Sequence, residues 1–277
     1  MQTRARRVTL AGGSGRSVLA AASDALLPFF DTREAAQALR GVCREFAGAV
    51  ARHAWRDRKT IILGSIAAWR ASFPRAKVAN IDMRTTELCH RTEPVTDADF
   101  VHFVGLKALD MSHCLSVTDA AFVHLAGIKT FFTSDCSQAT ITDAAFVSLK
   151  GVRTLDIIGC SQATITDAAF ANLKGIRALF IIGCNQATIT DAAFLHLKGI
   201  HTLFMGGCSQ ATITDAAFIH LDGIHTLYME YCNQATITGA TFSHLVGADK
   251  VAMPGCSAAA IAAARAVGLN VVTEYGG

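Results

Sequence analysis

Acidic residues are absent from the first 23 positions of this chain, "MQTRARRVTLAGGSGRSVLAAAS", while arginine recurs there. That composition predicts a flexible basic tail over residues 1–22, and an organelle transit peptide has the same composition. An apolar run of ~18 to 20 residues is also missing, which argues against a membrane span and a membrane partner. Charged residues are scarce at 17%, and a net charge of +3 is too small to imply a nucleic-acid partner. A secretory signal with an apolar core is lacking, and the nine cysteines form an odd number. Both point to reduced thiols in the cytoplasm, with the nucleus as an alternative. The glycine loop "GGSGRS" at Gly12 lacks the lysine of a phosphate-binding loop. No Cys/His/Asp constellation stands outside the repeats described below, so neither catalysis nor a cofactor is expected.

What the chain does have is apolar mass and repetition. Hydrophobic residues make up 51% of the 277 positions, ample for a sizeable core. Residues 1–77 hold 14 Lys and Arg against 5 Asp and Glu, whereas the rest hold 11 against 17. Such a shift marks a domain boundary. Beyond it the phrase "CSQATITDAAF" or a close variant begins at Cys136, Cys160, Cys184, Cys208 and Cys232, each 24 residues apart, and Cys256 continues the series. A fixed period in the 20s is the signature of a solenoid, in which each unit buries its apolar face on the next.

One unit, residues 152–175, shows the logic. Val152, Leu155, Ile157 and Cys160 follow the L-x-x-L-x-L-x-x-C spacing of a short strand. Thr166 is placed to cap a helix, with Asp167 in its first turn where negative charge is favoured. Phe170 and Leu173 share a face, and Gly175 ends the helix. The pattern resembles the cysteine-containing class of leucine-rich repeats, over roughly residues 78–256. The resemblance implies an α/β solenoid, a horseshoe with parallel strands on its concave face and short helices on its convex face. Residues 257–277 abandon the pattern for an alanine-rich helix and a short strand, as a cap should.

Stacking places each cysteine one strand spacing (~4.8 Å) from the next, in a line. A zinc site needs ligands that converge on a point, so no metal is expected. The Cβ vectors of neighbours run parallel, which disfavours disulfides. A ladder of small buried side chains is the reading that remains. Asp119, Asp143, Asp167, Asp191 and Asp215 are read as helix N-terminal residues, and the glutamines from Gln138 to Gln234 as an amide ladder. His124, His196, His220 and His244 are read as solvated on the outer helices.

Function is sought where the units differ. Strand alternation turns Phe132, Asp156, Phe180, Phe204 and Tyr228 to the concave surface, with Ile158, Ile182 and Glu230 in the next outward column. Together with Tyr231 they form an aromatic stripe beside two carboxylates, a surface suited to a protein partner. Lys129, Arg153, Arg177, His201 and His225, with Lys150, Lys174 and Lys198 nearby, read as a solvated basic rim, or as a guide for an acidic partner.

Upstream, residues 23–77 predict helices. The stretch Leu26, Leu27, Phe30, Asp31, followed by Val42, Cys43, Arg44 and Phe46 on a helix, resembles the F-box. That resemblance implies docking on a Skp-type adaptor through Leu26, Leu27, Phe30, Val42, Cys43 and Phe46. Paired with the repeats, it implies a substrate receptor of a cullin–RING (SCF-type) ubiquitin ligase. Such a receptor does no chemistry, but raises the effective concentration of its substrate. The alternative is an interaction scaffold whose N-terminal helices only cap the first coil, with Trp55, Ile61, Ile62, Leu63 and Trp69 as core.

Overall fold

A computed structural model describes residues 44–52, 60–62, 64–81 and 94–274. Within them ten short strands pair in parallel and in chain order. They are β1 (Thr60–Ile61), β2 (Val78–Asn80), β3 (Ala108–Asp110), β4 (Thr130–Phe132), β5 (Thr154–Asp156), β6 (Ala178–Phe180), β7 (Thr202–Phe204), β8 (Thr226–Tyr228), β9 (Lys250–Ala252) and β10 (Val271–Val272). The register never slips: Leu155 pairs with Leu179, Leu179 with Leu203, and Leu203 with Leu227. Register is fixed because a one-residue shift would turn every buried leucine outward.

After each strand the chain crosses the end of the coil and returns along the convex side. In the β5 coil, Thr166 accepts a hydrogen bond from Ala168 N and caps the turn Asp167–Phe170, which tightens into the 3-10 turn Ala171–Leu173. The corresponding stretch Asp215–Leu221 is 3-10 throughout. One and a half turns cannot hold as a free helix. They hold here because Ala169, Phe170 and Leu173 are buried against Leu155, Ile157 and Ile165 of the same core. Gly175 then takes φ +83, which turns the chain back into the next strand.

The N-terminal end of the core is closed by residues that join it directly. β1 pairs with β2, and the helix Ile66–Ser72, capped by Ser65, buries Ile66 and Trp69. Trp69 packs on Phe103 with ring centroids 5.9 Å apart, and Phe103 meets Phe100 edge-on at 5.1 Å. Val50, on the helix Arg44–Arg52, and Ile62 belong to the same core. Trp55 and Leu63 lie outside the described residues, as does the side chain of Ile61.

At the other end the helix Ala258–Ala266 buries Ala260 and Ala264, and β10 extends the sheet. This cap explains one break in the repeat. Gly239 stands where six coils carry aspartate, and a Cβ there would lie 2.5 Å from the Cβ of Ala263. Only glycine leaves the cap helix room at that φ of +91.

Candidate functional site

The inner surface of the sheet is built from the residues flanking each buried strand leucine. Phe180, Phe204 and Tyr228 stand on β6, β7 and β8 and stack in a nearly coplanar column. Their centroids lie 4.6 Å and 4.1 Å apart, with interplanar angles of 13° and 6°. Register dictates this geometry, since the three residues pair directly across adjacent strands. Lys250 caps the column, its Nζ 4.8 Å from the Tyr228 ring centre and donating to the phenol oxygen at 3.1 Å. All three rings remain partly exposed.

The other half of the surface carries two aspartates held by serines. Ser112 Oγ donates to Asp110 at 2.8 Å, and Ser134 Oγ donates to Asp156 at 2.8 Å. Asp156 also accepts from the backbone N of Ile158 at 2.8 Å. Phe132 stands between the two aspartates in the register. Val78, Ala108, Asp110, Ser112, Phe132 and Asp156 line a hollow of about 370 Å³.

Beneath this surface the coils are held by polar ladders. From Cys136 onward each thiol donates to a strand-end carbonyl of the preceding coil: Cys160 to Thr133 at 3.2 Å, Cys184 to Ile157 at 3.1 Å, and Cys208 to Ile181 at 3.0 Å. Burial pushes the Cys160 and Cys208 thiols up to about 12 and raises Cys184 well above its ordinary value. Such groups stay protonated and slow to react. Among the described residues no group of three or more His, Cys, Asp or Glu could hold a metal ion, and the six cysteines from Cys136 to Cys256 are free thiols.

The search of protein-family models found no match, and the search of curated proteins found none either. Solved structures do match. The TLR13–ssRNA13 complex superposes with a TM-score of 0.53 at 18% identity, over 71% of this chain and 27% of that one. The Toll–Spatzle complex of Drosophila gives 0.48 at 14% identity, over 70% and 29%, and human 5T4 gives 0.46 at 19%, over 56% and 62%. The fold is a leucine-rich-repeat solenoid. At these identities the likeness concerns fold alone, and the two matches below 0.5 add no weight. The chain spans about a quarter of the length of the TLR13 chain.

On this leucine-rich-repeat frame the residues expected on the concave surface come together, with two refinements. Asp156 is only 8% exposed, because Ser134 and the Ile158 amide draw its carboxylate into the surface. Glu230 leans back over Gly206, where a Cβ would sit 2.7 Å from its carboxylate oxygen. Ile158 and Ile182 are partly exposed. Tyr231, at φ +55, is 57% exposed and lies across Gly255. Lys250 was not foreseen. Its signal was present, since a lysine stands in the strand column occupied by threonine or alanine in six earlier coils.

Other columns differ from expectation in their partners. The glutamines bond not to each other but to backbone, as Gln162 Nε2 does to Cys136 O at 3.1 Å and Gln186 Nε2 to Cys160 O at 3.2 Å. The outer-helix histidines are half-buried, and His244 meets Asp222 at 2.9 Å. Of the F-box-like positions, Leu26, Leu27, Phe30, Val42 and Cys43 lie outside the described residues, as does the side chain of Phe46. Among the described residues no helix is long and apolar enough to cross a membrane.

Proposed function

We propose that the chain is a protein-interaction scaffold that holds a partner protein on its concave face. The observation that carries this is the partly exposed, stacked column Phe180–Phe204–Tyr228. Coils that repeat their structural half almost letter for letter vary at this position along the sheet, from Asp110, Phe132 and Asp156 to Phe180, Phe204 and Tyr228. Aromatic rings fixed by stacking lose little entropy on binding, and such rings are the usual anchors of an interface. The proposal gives the chain no chemistry of its own.

A substrate-receptor role in a cullin–RING ligase is the narrower reading. It rests on the match of Leu26, Leu27, Phe30, Val42, Cys43 and Phe46 to an adaptor-docking segment. The packing of Trp69 on Phe103 and the pairing of β1 with β2 favour the other reading for residues 60–73, a cap on the first coil. The two readings are compatible if docking is confined to residues before 53.

The test is affinity capture from cells with the wild-type chain and with Phe204→Ala/Tyr228→Ala, followed by calorimetric titration of any protein lost with the variant. Binding weaker by ~2 kcal/mol or more supports the concave reading. Equal binding by both proteins removes it.

A further inference from the structure

Repetition within the chain lets one coil serve as a comparison for the next. On the convex side the phenylalanine of each T-D-A-x-F phrase is buried: Phe100, Phe122, Phe146, Phe170, Phe194 and Phe218. The residue that follows it is exposed in every one of these coils, and reads Val101, Val123, Val147, Ala171, Leu195 and Ile219. The five large ones are between 41% and 60% exposed. Their identity drifts while their apolar character is kept, until Ser243 ends the row. The next position drifts equally but stays polar, as His102, His124, Ser148, Asn172, His196 and His220. Core packing does not require an apolar group at a solvent-facing site. The row is therefore an exposed apolar ridge.

One flank of the ridge is cationic. Lys150, Lys174 and Lys198 follow three residues on, at the C-cap of each 3-10 turn, and all are exposed. Arg153 and Arg177 stand just across the glycine turns. The loops 104–107, 126–129, 150–153, 174–177 and 198–201 carry no acidic residue, and Asp222 is the first acid in the lysine column.

We propose that this ridge and its lysine flank form a second docking surface, and that its occupant is an acidic amphipathic helix of a partner protein. Six residues on successive coils span at least ~24 Å, five strand spacings, the length of a helix of ~16 residues. An apolar stripe on such a helix lies along the ridge, and carboxylates on one side of the stripe meet Lys150, Lys174 and Lys198. A second copy of this chain is a poor occupant, because its own cations would face the same edge. A lipid surface is also a poor one, because the ridge holds no Trp or Tyr to seat at an interface. The inference is independent of the concave reading.

The experiment uses the full chain and a labelled synthetic peptide of about 18 residues with leucines on one helical face and glutamates on the other. A twin with lysine in place of glutamate serves as its control. Fluorescence anisotropy should show saturable binding of the acidic peptide that weakens as salt rises, and none of the twin. Lys174→Glu/Lys198→Glu and, separately, Leu195→Ser/Ile219→Ser should each weaken it at least about tenfold, with melting curves confirming that both variants fold. Phe204→Ala/Tyr228→Ala should bind as wild type does. Equal binding of the twin, no saturation below roughly 100 μM, or indifference to the ridge variants would overturn the proposal. Ridge-dependent binding to phosphatidylserine vesicles without binding of the peptide would overturn the helix as occupant.

Discussion

Asp143 accepts two hydrogen bonds from Thr166 of the following coil, 2.8 Å from its backbone N and 2.7 Å from its Oγ1. The same Thr166 hydroxyl accepts from Ala168 N and so caps its own turn. The pair recurs from Asp97 with Thr118 to Asp191 with Thr214. An aspartate that on sequence looks like a helix-dipole residue is thus also the bond between coils. Asp167→Ala should cost about 1–3 kcal/mol, because the Thr190 amide and hydroxyl lose a charged acceptor. Denaturant titration checks it, and a change below about 0.5 kcal/mol would reduce the ladder to decoration.

The thiol ladder predicts a pH dependence. The ordinary thiol value is 9.0, and burial raises Cys160 and Cys208 to about 12. The unfolded chain ionises these thiols first, so the folded chain holds more protons between those values. Their stabilising contribution is intact below pH 9.0 and is lost as pH rises toward 12. Cys160→Ala/Cys208→Ala should flatten the fall in melting temperature across that window. In the native state at neutral pH the repeat cysteines should alkylate slowly, and under denaturing conditions quickly. Reductant should leave the melting temperature unchanged.

The two faces of a coil should respond differently to loss of a ring. Phe194 and Phe218 are fully buried, so Phe194→Ala should cost about 3–5 kcal/mol. Phe204 contributes mainly ring stacking on a partly open surface, so Phe204→Ala should cost about 1 kcal/mol. Comparable losses at both positions would reverse the assignment of faces.

Removal of residues 1–73 should uncover Phe100 and Phe103, which Trp69 and the helix Ile66–Ser72 cover. The truncated chain should aggregate or melt at lower temperature, and Trp69→Ala alone should cost about 3–5 kcal/mol. Removal of residues 1–43 should leave the melting temperature of the solenoid nearly unchanged. A soluble, fully stable chain after the longer truncation would show that residues 44–73 do not close the core.

What the sequence made legible followed from repetition. The 24-residue period located every coil from Cys136 onward, and alternation about Leu155 or Leu203 told inner from outer side chains. Thr166 as a cap and Gly175 as a turn could be read from local chemistry alone. The partners of Gln162 and Asp143 could not, because they lie 26 and 23 residues away, across coils whose stacking offset no single unit encodes. β1 escaped for another reason: two residues, Thr60 and Ile61, are too few to show a period. The burial of Asp156 depends on Ser134 in the neighbouring coil, a pairing visible only once the strands are in register.

Photo-crosslinking reads the concave face most directly. Benzoylphenylalanine placed at position 204, on the partly exposed ring column, should yield a discrete protein adduct in cells. The same group at position 163, exposed on the end loop of the β5 coil, should not. Adducts at 163 alone, or at neither position while the protein is folded, would contradict a partner on the concave surface.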